Sequence, residues 1–153
     1  MNRTFIFALI LMVVFSTANA KTKFKKCEND RFSPPLLSVK VHPDPVVSGK
    51  LATFKVSGTI PTKITENTAI LVYYNDLASK QIVGDHHLES ICEGTECSIE
   101  ANTPFTKKFK FLTPQLPFEY QINVAVVETF DGQPDLGPYL ACAIATHIIP
   151  TPT

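Results

Sequence analysis

The sequence predicts an all-β fold, an antiparallel sandwich of about seven strands. Three observations point there. Helix signals are nearly absent, because 12 prolines and 6 glycines cut the 153 residues into short runs. β-Branched and aromatic residues, which suit a pleated and half-buried surface, fill those runs. Several runs also alternate apolar and polar residues at the period of a strand. Short strands at this spacing, in a chain this small, favour a sandwich or barrel.

The strands can be placed in order. Leu36 to His42 stops at Pro43-Asp44-Pro45, and Leu51 to Ile60 follows a Ser48-Gly49 turn. Thr68 to Tyr74 ends at Asn75-Asp76. Gln81 to Val83 and His87 to Ile91 form one strand or two short ones. Ser98-Ile99 follows a small cysteine loop, and Phe105 to Leu112 is a clearer strand. Glu119 to Phe130 ends at the turn dipeptide Asp131-Gly132. Tyr139 to Ile149 closes the domain. In the second strand Ala52, Phe54 and Val56 share a face opposite Thr53, Lys55 and Ser57. Phe105, Phe109 and Phe111 oppose Thr106, Lys108 and Lys110. Lys107 falls on the Phe face, which places it near a rim. Tyr120, Ile122, Val124 and Val126 oppose Gln121, Asn123, Ala125 and Val127.

Residues 1–20 are read as a cleaved secretory signal: Arg3, the apolar run Phe5 to Phe15, then Ala18-Asn19-Ala20. That run is short for a membrane span, which needs about 20 residues; a retained anchor is the alternative. Residues 21–149 then form one domain, followed by a short Pro/Thr tail, 150–153. The 14 basic and 14 acidic side chains balance, which argues against a nucleic-acid partner. Lys21, Lys23, Lys25 and Lys26 form a basic cluster at the expected mature N-terminus. It is either a solvated end or a contact for anionic headgroups.

All four cysteines lie beyond the signal, and an even count in a secreted chain reads as disulfides. Cys92 and Cys97 flank a short Gly-containing loop suited to local closure. Cys27 and Cys142 then pair by elimination and join the two ends of the domain. A zinc site is the rival, but no suitably spaced His pair accompanies the loose Cys spacing. There is no Trp, and the pairing lacks antibody-type spacing, so the architecture is immunoglobulin-like without that core signature.

Enzyme signals are weak. His86 and His87, beside Asp85 and Glu89, are adjacent and point to opposite faces of a strand. No Gly-x-Ser-x-Gly, phosphate-cradling Gly loop or His-Glu-x-x-His is present. No catalytic group and no cofactor are expected.

The order of landmarks resembles the ML-domain lipid-recognition family. An early Cys27 precedes a first strand ending in VHPDPVVSGK. VSGTI, VYYN, the close pair Cys92/Cys97, the stretch Thr103 to Tyr120 and a last strand holding Cys142 follow. The likeness favours the fungal phosphatidylglycerol/phosphatidylinositol transfer proteins over the Niemann–Pick type C sterol carrier, whose third disulfide is absent here. One departure is Leu116-Pro117-Phe118-Glu119-Tyr120, where the transfer proteins carry Pro-Pro-Gly-x-Tyr. The resemblance implies an apolar cavity between the two sheets holding a phospholipid or sterol. Its candidate wall is Phe54, Val56, Leu71, Tyr73, Phe109, Phe111, Tyr120, Ile122, Val124 and Val126, with Lys107, Tyr139 or His147 selecting a headgroup at the rim. The signal sequence implies a secreted or vacuolar/lysosomal protein, a monomer is the default, and slow release of a lipid into water implies transient contact with membranes. A secreted interaction module with a solid core, acting as co-receptor or effector, is the alternative.

Overall fold

The computed structural model describes residues 21–27, 33–92, 97–134 and 138–149. The expected signal (1–20), the tail (150–153) and the loop between Cys92 and Cys97 lie outside these residues. Eight strands form: β1 (Ser38–His42), β2 (Leu51–Gly58), β3 (Thr68–Asp76), β4 (Ile82–Ser90), β5 (Phe105–Leu112), β6 (Glu119–Phe130), β7 (Gln133–Pro134) and β8 (Ala141–Ile148). They build two antiparallel sheets. One has three strands in the order β1-β2-β5. The other has five, in the order β4-β3-β6 with β8 and the short β7 both on β6. The fold is an all-β, immunoglobulin-like sandwich.

Local chemistry sets the strand ends. β1 stops where Pro43 removes a ladder donor. β6 turns back through Asp131 and Gly132, both at positive φ (50° and 73°), which is the backbone a two-residue hairpin requires. That turn pairs Phe130 with Gln133 and makes β7, a strand too short to show in the sequence. The two segments expected between 81 and 91 are one strand, β4. It carries a bulge: Val72 pairs with His87, and Tyr74 pairs with Val83. Gly84 sits in the bulge at φ +67°, and a Cβ there would lie 2.7 Å from Pro114, so glycine lets β4 close on the loop after β5. Ser98-Ile99 forms only a single bridge, Ile99 to Ile64.

The main core lies between the sheets. Phe54, Val56, Phe109 and Phe111 of the small sheet meet Ile70, Val72, Tyr74, Tyr120, Ile122, Val124 and Val126 of the large one. A second cluster covers the opposite face of the large sheet. It contains Leu71, Ala125, Val127 and Cys142, packed with Cys27, Tyr73, Leu88, Tyr139 and Ile144. β3 and β6 are therefore buried on both faces.

Candidate functional site

Eight of the ten candidate wall residues face one another between the sheets. Phe54 stacks on Phe109 and Phe111, with ring centres 5.8 and 5.1 Å away. Tyr74 continues the row, 6.1 Å from Phe111 and 6.2 Å from Tyr120. Tyr120 stacks on His147 at 5.3 Å. One line of rings thus crosses the interior from β5 to β8. The centre of that interior is filled: Phe54, Val56, Ile122, Val124 and Val126 are each 0% exposed. A guest could reach them only if these side chains parted.

Leu71 and Tyr73 require a correction. They lie on the outer face of the large sheet, and their places between the sheets belong to Ile70, Val72 and Tyr74. In register Ile70 meets Val126, Val72 meets Val124 and Tyr74 meets Ile122. The cause is β3 itself. Both of its faces are covered, so Ala69 to Tyr74 is an unbroken apolar run with no polar face to fix the register, and a one-residue shift exchanges the faces. Asn75, on the side of Leu71 and Tyr73, was the available cue. Outside the sheet those two line an open hollow of about 520 Å³ with Ile82, His86, Pro134 and Tyr139. The Tyr73 and Tyr139 hydroxyls are 3.0 Å apart. Burial, then the Tyr139 hydroxyl, holds Tyr73 well above the ordinary phenol range.

The three expected rim residues separate. Tyr139 belongs to that outer hollow, not to the rim. Lys107 lies at the β4–β5 edge, its ammonium 3.6 Å from Glu89. His147 lies at the far end of the interior, beside Tyr120. Sequence reasoning missed a polar cluster at that end. The Tyr74 hydroxyl, Thr113 Oγ1 and His147 Nε2 are buried without a hydrogen-bond partner among the described residues. Tyr74 and Thr113 are close enough for the Thr113 hydroxyl to favour the phenolate, yet they lack hydrogen-bond geometry. Burial dominates and pushes Tyr74 up to about 12. Tyr120 rises to about 12 by burial, helped by the Asp44 charge. Burial lowers His147 below the ordinary imidazole value, opposed by Asp44. Unpartnered buried hydroxyls are costly and rare, and they suit a guest oxygen.

His86 and His87 diverge, as adjacent strand residues must. His86 faces the outer hollow. His87 packs inward, 5.3 Å from Phe109 and 4.8 Å from Phe111, and its Nε2 is 3.3 Å from Glu89. The cysteines pair as Cys27–Cys142 and Cys92–Cys97. Among the described residues no three His, Cys, Asp or Glu side chains gather as a metal site.

None of the curated proteins matches this chain at a significant level. Among solved structures, chicken MD-1 complexed with lipid IVa aligns over 82% of this chain and 87% of its own, at 10% identity and a TM-score of 0.47. The ML domain profile matches residues 21–137. It begins at Lys21 and stops before β8, which the structure pairs with β6 along its whole length. Since that match covers most of the chain, the sandwich with its aromatic interior belongs to the ML-domain family.

Proposed function

We propose that this protein binds one amphiphilic lipid between its two sheets and carries it between membranes, without catalysing a reaction. Membership of the ML-domain family carries the reading. The interior supports it: side chains from both sheets form one continuous apolar layer ending in orphaned hydroxyls. An acyl chain of some sixteen carbons gains on the order of 10 kcal/mol on burial, before ordering costs. Tyr74 and Thr113 can donate to an ester or sterol oxygen, and Lys107 can face a phosphate at the β4–β5 rim. Phosphatidylglycerol or phosphatidylinositol is the leading cargo, and a sterol is the alternative. The protein is a secreted monomer, extracellular or in a vacuolar or lysosomal lumen. Residues 1–20 are its cleaved signal, and the family match begins directly after them.

The filled centre favours one other reading, an interaction module with a solid core. Organic extraction of protein purified from its native secretory source, followed by mass spectrometry, separates the two. Stoichiometric lipid is expected, and none after mild purification leaves the solid-core module. Two variants then locate the cargo. Val124→Trp overfills the inter-sheet space and should abolish lipid recovery from folded protein. Leu71→Trp fills the outer hollow and should leave it unchanged. The reverse pattern would put the lipid outside the sheets.

A further inference from the structure

The balanced charge of the chain conceals a sharp division between its sheets. The strands of the three-stranded sheet hold five lysines (Lys40, Lys55, Lys107, Lys108 and Lys110) and no Asp or Glu. The strands of the five-stranded sheet hold five carboxylates (Asp76, Asp85, Glu89, Glu119 and Glu128) and no Lys or Arg. Counted on the strands alone, the small sheet is positive and the large sheet negative.

Strand register concentrates the positive charge. Lys107 turns inward to Glu89, but the other four lysines share the outer face. Lys40 pairs with Lys55, and Lys55 pairs with Lys108, so three ammonium groups stand in one row across three strands. Lys110, opposite Thr53, extends the set. All four line one shallow groove with His42 and Thr53. Lys21 reaches a second groove beside Lys40. Among the described residues none of the four has a carboxylate partner; the nearby Asp44 carboxylate accepts from the Thr22 backbone N–H at 2.9 Å. Like charges placed directly opposite repel and destabilise a sheet. A bound anion relieves a row of this kind.

At one end of the same face, Leu51 and Leu112 pair across the strands, and each is 63% exposed. Val47, in the turn before β2, is also exposed. We propose that the outer face of the three-stranded sheet is a landing surface for anionic phospholipid bilayers. A flat lysine field bordered by protruding aliphatic side chains matches a charged headgroup layer over an acyl boundary. Nucleic acid calls for arginine forks and stacking aromatics, and this face carries neither. The four lysines of this face favour its approach to a negative surface. β5 supplies both Lys108 and Lys110 outside and Phe109 and Phe111 inside, so landing brings the β4–β5 edge beside the membrane. That last consequence rests on the proposed lipid cargo; the landing itself does not.

The test is co-sedimentation of the intact protein with vesicles. It should bind phosphatidylglycerol in a phosphatidylcholine background, ignore pure phosphatidylcholine, and detach in about 1 M salt, where the screening length falls to about 3 Å. The variant Lys40→Gln/Lys55→Gln/Lys108→Gln/Lys110→Gln should bind those vesicles on the order of 1000-fold more weakly. Its thermal midpoint should be equal or higher, since repulsion is removed. Lys63→Gln, off the face, should bind as the parent does. Equal vesicle binding by the quadruple variant overturns the proposal, as does equal binding to neutral vesicles. Retention by heparin or RNA without vesicle binding also overturns it. Uptake of a fluorescent fatty acid in vesicle-free buffer should be unaltered in the quadruple variant. Failure of that uptake in the parent counts against the cargo alone.

Discussion

The two long edges of the sandwich are closed in different ways. At the β1–β8 edge the backbone itself crosses between the sheets. Lys25 and Ile144 exchange two backbone hydrogen bonds of 2.8 and 2.9 Å. Just before β1, the Leu37 N–H donates to the Cys142 carbonyl, and the Cys142 N–H donates to the Pro35 carbonyl. Cys27–Cys142 fastens the same place. At the β4–β5 edge the contacts among the described residues run through side chains: His87 lies on Phe109 and Phe111, and Lys107 faces Glu89, while Gly84 leaves room for Pro114. If the sandwich opens, the first edge would act as a hinge and the second as a latch. A sandwich with a filled centre admits a guest by opening where separation breaks no backbone hydrogen bond, because an unpaired buried backbone group is the costlier loss.

Breaking the hinge should have the largest effect. Cys27–Cys142 closes a loop of 115 residues. Chain-entropy arguments give such a bond about 4–5 kcal/mol. Cys27→Ala/Cys142→Ala should therefore lose at least about a third of the stability of an ordinary domain, read as a fall in the denaturant midpoint. Cys92–Cys97 spans only 5 residues, and its removal should cost about 2 kcal/mol by the same relation. Equal losses would remove the distinction between a stapled edge and the rest of the fold.

Loosening the latch should alter exchange more than folding. His87→Ala removes two ring stackings, each worth about 0.5–1.5 kcal/mol. If the edge must part for cargo to leave, release to acceptor vesicles should speed about tenfold, since about 1.4 kcal/mol off a barrier is tenfold in rate. The unfolding free energy should fall by a similar modest amount. Glu89→Gln tests the ionic part. Its partners are about a quarter exposed or less, and with solvent screening the pair should contribute under about 1 kcal/mol. A release rate unchanged in His87→Ala would move the opening elsewhere.

How much of this was legible in the sequence depended on whether a strand keeps one wet face. β2 and β5 do, and the alternation of Phe54 and Val56 with Lys55, and of Phe109 and Phe111 with Lys110, gave the right inner face. β6 is buried on both sides between Ile122 and Val127, yet Gln121 and Asn123 marked its register. β3 has no such mark before Asn75, so Leu71 and Tyr73 were exchanged with Val72 and Tyr74. The latch and the lysine row were beyond any single run of sequence. His87 meets Phe111, and Lys40 meets Lys55 and Lys108, only through the pairing order of the sheets. The disulfides were readable because cysteine count and spacing left few choices.

Acid should act on the hinge side, and less strongly. His147 sits on β8 with its Nε2 buried and unpartnered, stacked on Tyr120. Burial lowers its pKa below the ordinary 6.5, with Asp44 opposing. The folded protein therefore binds fewer protons here than the unfolded chain. Its contribution to stability is complete above about pH 6.5 and declines as the pH falls from there through the lowered folded value. His147→Phe keeps the ring stacking, removes the proton and ends the orphaned nitrogen. Urea midpoints measured from pH 7.5 to 4.5 should fall less steeply in this variant than in the parent. Parallel curves would show that His147 takes up its proton as readily in the fold as in the unfolded chain, and that the β8 end of the interior is open to water.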